Sequence, residues 1–255
     1  MGMNGTFYSK WLGMAYSMEL NDKFLEHFIW TYYGSGNYAG NYWFIGMEEG
    51  GGTTFKRVQK RLETWQTLGE EELVDLYDFH AGINYLDYFK DPVKLQHTWM
   101  QQARIILASK GLPSTREQIR TYQRNIIGRK NSESCLLELL PLPSPNTSTW
   151  HYNQWSTLSY LKDRKAYREY CIPRRIDHIQ TQIKIHLPKV VVFFSTSYTP
   201  YWQQIAGKAV SFQDKEGFSL GKSASTTFVI CKHPAARGIP NAYFEKIGLY
   251  LRNSS

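Results

Sequence analysis

The sequence predicts an α/β protein, a three-layer α/β/α sandwich with a mostly parallel central sheet, folded as one domain over residues 1–255. Three observations carry this. Short aromatic and β-branched runs at 41–45, 135–140, 190–194 and 226–231 are separated by longer stretches with apolar residues at helical spacing. The run Val190-Val191-Val192-Phe193-Phe194 is apolar on both faces, as a central parallel strand is. The chain has no internal repeat, and its length suffices to bury a substantial core.

Taken in order, residues 7–33 read as helical, with Leu20, Phe24, Phe28 and Tyr32 on one face, Asn21 or Asp22 as an internal cap, and an end near Gly34-Ser35-Gly36. Residues 41–45 form the first strand. It stops at Gly46, and Met47, Glu48, Glu49, Gly50, Gly51 and Gly52 follow as a loop at the strand's carboxyl end. From 55 to 68 an amphipathic helix places Val58, Leu62 and Trp65 on one face, with Lys56, Arg57, Lys60 and Arg61 elsewhere. Residues 66–130 read as a helical insertion. It breaks at Asp91-Pro92 and again at Gly111-Leu112-Pro113, and Ser114 with Glu117 has the spacing of a capping box.

The run 135–140 is a second buried strand, bounded by Pro141, Pro143 and Pro145. Glu138 is out of place within it. A buried carboxylate is costly unless paired or used, and the bland alternative is that it faces solvent on an edge strand. A basic helical region at 162–175 precedes the strand at 190–194, after which Ser195-Thr196-Ser197 opens a loop and helix reaching Ile205. The strand at 226–231 delivers Lys232-His233-Pro234-Ala235-Ala236-Arg237-Gly238 to its carboxyl end, and 242–251 closes the chain as a helix.

Thirty Lys and Arg against twenty-two Asp and Glu give a formal charge of +8, which favours a polyanionic partner such as DNA. Aromatics make up 15% of the residues, adding surface on which extruded bases stack. The three cysteines are widely separated, so no zinc site, cluster or disulfide framework is implied, and no metal or cofactor is expected. The start of the chain lacks a secretory pattern, and no apolar run has the length of a membrane span. The expectation is a soluble monomer of the reducing cytoplasm.

Four strand ends thus bring Glu48 and Glu49, Glu138, Ser195 and His233 to one sheet edge, where open α/β sheets bind ligands. A carboxylate there can orient a water, and an imidazole can stabilise a leaving anion. A flexible solvated turn with two surface acids, and a loop histidine with a structural hydrogen bond, are the alternatives.

Gly46-Met47-Glu48-Glu49-Gly50 resembles the first motif of the uracil-DNA glycosylase superfamily, and His233-Pro234-Ala235-Ala236-Arg237-Gly238 resembles the second. Their order and the intervening strands extend the resemblance over residues 38–55 and 132–251. It implies that Glu48 stands where the water-activating Asp or Asn stands, with Glu49 in place of the motif's Pro, Gly46 and Met47 beside the base, and Gly50 and Gly51 letting DNA approach. His233 would hold the departing base. Lys232, Arg237 and the Ser195 loop would contact the strand, and Phe55 would stack on the flipped ring. The position of the base-reading Asn is taken by Glu138, an acceptor suited to the exocyclic amine of cytosine. The resemblance therefore implies a DNA glycosylase for a modified pyrimidine, such as the glucosylated hydroxymethylcytosine of phage DNA, in an antiviral role. A uracil-excising repair enzyme, a catalytically weak DNA sensor on the same fold and a metal-dependent nucleotide hydrolase remain as alternatives.

Overall fold

The computed structural model describes residues 18–253. The part of the expected first helix that precedes residue 18 lies outside the described residues. Asn21 caps α1 (Asp22–Thr31), its side chain accepting the Phe24 N–H at 3.1 Å. The helix ends earlier than expected, because Gly34–Gly36 is a strand, β1. Side chains at Gly34 and Gly36 would run into the Leu136 and Ser134 carbonyls, so only glycine lets β1 lie so close to its neighbour.

β2 (Tyr42–Gly50) is followed by α2 (Phe55–Thr67), β3 (Leu73–Val74), α3 (Leu76–Gly82), α4 (His97–Ser109) and α5 (Arg116–Asn125). Then come β4 (Ser134–Ser144), α6 (Tyr152–Trp155), α7 (Arg164–His186), β5 (Val190–Phe194) and α8 (Thr199–Ala206). β6 (Phe212–Asp214), β7 (Ser219–Lys222), β8 (Thr227–Cys231) and α9 (Asn241–Arg252) complete the described chain.

The strands form one eight-stranded sheet in the order β3-β1-β4-β2-β5-β8-β7-β6. Its centre, β4-β2-β5-β8, is parallel, whereas β1 against β4, β7 against β8 and β6 against β7 are antiparallel. The sheet is therefore mixed rather than mostly parallel. The antiparallel members are short or glycine-bearing segments that carry too weak an alternating pattern to stand out in the sequence.

Side chains alternate across β2. Trp43, Ile45 and Met47 enter one buried cluster with Val191, Phe193, Phe228 and Ile230, while Phe44 enters a second with Val192, Phe194, Val229 and Cys231. Helices α1, α2 and α7 cover the first cluster; α4, α5 and α9 cover the second. The 66–130 segment is therefore no appendage. It contains β3, and Gly248 of α9 abuts Ala108 and the Ile105 carbonyl of α4.

Two further boundaries differ from expectation. The capping box is made by Thr115 and Gln118, whereas Ser114 donates to Glu245 at 2.7 Å. β4 does not stop at Pro141. β1 covers it only to Leu137, so its second half has a strand on one side alone, the setting in which proline is tolerated.

Candidate functional site

The parallel registers bring the carboxyl ends of β4, β2, β5 and β8 to one edge. β2 runs on through Glu48 and Glu49 to Gly50, with an irregularity in its pairing after Glu48. These two carboxylates are consequently fixed by a strand and do not ride on a loop.

Glu138 pairs in register with Gly46, and its carboxyl lies against the Gly46 Cα, where any Cβ would collide with Oε2. Oε2 is sealed from solvent without a hydrogen-bond partner. The solvent-facing edge position allowed by the sequence is thus excluded. Burial, reinforced by the charges of Glu49 and Glu48 and only partly opposed by Arg175, pushes this carboxyl well above the usual carboxylate range. The shift favours the protonated form, which offers one donor and one acceptor.

Arg175 sets the backbone that carries it. This fully buried guanidinium donates to the carbonyls of Leu139 (2.6 Å), Ile29 (2.7 Å), Tyr32 (2.9 Å) and Glu138 (3.0 Å), and it stacks 3.7 Å from the Tyr33 ring centroid. It ties β4 to the carbonyl-rich end of α1, where a cation is favoured.

Glu48 is gripped by Arg164, whose Nη1 donates to both carboxylate oxygens at 2.5 and 2.7 Å. Nη2 of the same arginine donates to the Ser144 hydroxyl and to the carbonyls of Asn146 (2.7 Å) and Thr149 (2.8 Å). Burial raises the Glu48 pKa, while Arg164 and then Arg168 hold it back. Glu49 is paired with Arg61, which lies 5.3 Å from the Phe79 ring centroid. Arg61 is buried on the face of Val58, Leu62 and Trp65, not on a separate basic side. Beyond it stands His80, buried among Phe89, Trp99 and Tyr88, with burial depressing its pKa.

At the other end of the edge, His233 meets Phe194 edge-on at 6.4 Å, and Phe194 stacks on Phe44 at 5.8 Å. His233 therefore stands at the rim of the face that carries Gly46 and Glu138. Its Nδ1 accepts the Ala235 N–H at 3.1 Å, which leaves the proton of the neutral ring on Nε2. The residue is exposed as a whole, yet the edge against Phe194 is shielded enough to lower its pKa, and His97 adds to this. Three strand spacings separate β4 from β8, roughly 14 Å between backbones, a gap that two side chains and one nucleobase can fill.

The remaining expected residues divide. The Met47 side chain is buried in the first cluster, and Phe55 packs against that cluster, edge-on to Trp155 at 5.9 Å; neither faces Gly46 and Glu138. Gly50 and Gly51 border open space, whereas Gly52 is held against the Pro143 carbonyl. Ser195 ends β5 at a strained φ of 77°, its N–H bonded to the Cys231 carbonyl at 2.9 Å. Lys232 and Arg237 are exposed, the former with its ammonium 5.7 Å from the Tyr243 ring centroid.

Sequence reading missed Arg61, Arg164, Arg175 and His80. For two of them a signal existed: Arg61 stands three residues after Val58 and four before Trp65, and Arg175 four before Ile179, both on the apolar helical stripe. Among the described residues no group of three or more His, Cys, Asp or Glu is arranged to hold a metal ion, and no helix is long and apolar enough to cross a membrane. No protein-family model matches the chain, and no curated protein matches it.

Proposed function

We propose that this chain is a DNA glycosylase, related in architecture to the uracil-DNA glycosylase superfamily. It extrudes one nucleotide, hydrolyses the N-glycosidic bond with water and leaves an abasic site. The observation that carries the reading is the orphaned, buried carboxyl of Glu138 over Gly46, on the same face and edge as His233. A buried polar atom without a partner costs free energy and asks for a ligand group to complete it.

In this reading the protonated Glu138 donates to N3 of a cytosine ring and accepts from its N4 amine. A carboxylate would meet the N3 lone pair with like charge, so protonation favours this base. The open space beside Gly50 and Gly51 takes a substituent on the base, such as a glucosylated hydroxymethyl group. His233 donates from Nε2 to the oxygen on which negative charge develops as the base departs. Glu48, held in place by its two hydrogen bonds from Arg164, orients the water toward the electron-poor sugar. The chain's +8 charge, with Lys232 and Arg237 at the rim, neutralises DNA phosphates. The protein would act as a monomer in the cytoplasm against phage DNA.

With donor and acceptor exchanged, the same carboxyl also fits uracil, so the test compares the two. Purified protein is incubated with duplexes carrying uracil, 5-hydroxymethylcytosine or its glucosylated form, and alkali-labile sites are counted. Cleavage of the modified cytosine, lost in Glu48→Gln and His233→Ala while DNA binding persists, supports the proposal. Activity on uracil alone overturns the cytosine assignment.

A second reading, a DNA-binding or sensing module with little catalysis, is favoured by the arginine that occupies each of Glu48 and Glu49. It predicts duplex binding without release of any base.

A further inference from the structure

Helices α4, α5 and α9 enclose a cavity of about 350 Å³ on the flank of the molecule. Leu95, Met100 and Ile119 line one part of it; His97, Arg104, Arg116 and Asn241 line the rest, and no carboxylate does. Arg104 is only 8% exposed, a costly place for a charge. Its Nε donates to the Gln101 side chain at 3.2 Å, and Nη1 donates to the Ser114 carbonyl and hydroxyl at 3.2 and 3.0 Å. Nη2 has no hydrogen bond among the described residues and is not sealed from solvent, and Arg104 is one of the residues that line the cavity.

The start of α9 adds donors. Pro240 stands at its N-cap and supplies no side-chain cap; the Tyr243 N–H turns back to the Pro240 carbonyl at 3.0 Å, which leaves the Asn241 and Ala242 N–H groups of this twelve-residue helix as the free donors of its first turn. Asn241, the first residue of the helix, uses its Oδ1 to accept from Gln101 at 2.8 Å and keeps its amide N–H₂ available. Glu245, one turn later, is occupied by the Ser114 hydroxyl.

We propose that this cavity binds a phosphate ester. An unpaired guanidinium nitrogen, a second arginine and an uncapped helix start form the donor set that a phosphate oxygen cluster requires. The apolar wall of Leu95 and Ile119 then takes the organic part of the ester. The site does not depend on the glycosylase reading.

The test follows the His97 ring and Arg104 side-chain resonances by NMR while a nucleoside 5′-monophosphate is added, and in a second series a short unmodified duplex. A saturable shift with the nucleotide is expected, its Kd rising about tenfold in Arg116→Gln, the loss of one charge-assisted hydrogen bond. Arg104→Gln should abolish it; if that variant does not fold, Arg116→Gln decides. Displacement by duplex assigns the site to a strand phosphate, and indifference to duplex assigns it to a free ester. The proposal falls if no shift saturates, if Arg116→Gln binds as tightly as the parent, or if Lys208→Gln, an exposed lysine outside the cavity, weakens binding equally.

Discussion

Replacing Glu138 with Gln should stabilise the fold at neutral pH and preserve base recognition. In the folded chain Oε2 is buried without a partner, pressed on Gly46. Burial, then the charges of Glu49 and Glu48, raise the carboxyl well above its ordinary 4.5, and Arg175 offsets only part of this. The folded state therefore retains a proton that the unfolded chain releases. Stability is full below the unfolded value, falls as pH rises past it, and stops falling only above the folded pKa. At pH 7 the loss has a ceiling of about 3 kcal/mol, the work of keeping an ordinary carboxyl protonated there. Gln keeps the shape, one donor site and one acceptor without titrating. It should recover about 1–3 kcal/mol at pH 7, or about 2–4 °C in Tm for each kcal/mol in a chain of this size. Urea unfolding of both proteins from about pH 4.5 to about pH 8.5 reads the difference directly. The reasoning is refuted if the difference does not change with pH, or if the Gln variant is the less stable one at alkaline pH. Base release should survive in Glu138→Gln and drop at least about tenfold in Glu138→Ala, which removes both hydrogen bonds.

Four other outcomes follow from the structure. Arg164→Met strands a mostly buried Glu48 and should cost about 3 kcal/mol in urea unfolding, whereas pairing it with Glu48→Gln should cost less than the sum by over about 1 kcal/mol. His233→Ala should slow single-turnover base release about 100-fold while leaving Tm nearly unchanged, since the residue is exposed. Because the His233 pKa is depressed, the parent rate should hold steady as pH falls to about 6.5, where an ordinary imidazole is already half protonated. Gly52→Ala, at φ 61° and against the Pro143 carbonyl, should lower stability by about 2 kcal/mol in thermal melts, and Gly50→Ala, beside open space, by under about 1 kcal/mol.

Much of the frame was legible in the chain. The period-two and all-apolar runs located β2, the first half of β4, β5 and β8, because strands buried on both faces admit few residue types. Helical spacing located α2, α4, α8 and α9, and the loops at strand ends identified the edge. What escaped was short or depended on neighbours. Gly34–Gly36 looks like a stop until β4 lies across it, and Pro141 and Pro143 look like one until a free side of β4 accommodates them.

The site divides in the same way. Sequence alone determined which residue types reach the carboxyl edge, since the order of strands and loops along the chain fixes what each strand can deliver. Tertiary structure alone decided their chemical state: Glu48 and Glu49 are each held by an arginine more than ten residues away in sequence, and burial against Gly46 pushes the Glu138 carboxyl toward its protonated form. Ionisation depends on the distance of other charges and on the exclusion of water, and neither quantity exists until the helices close over the sheet.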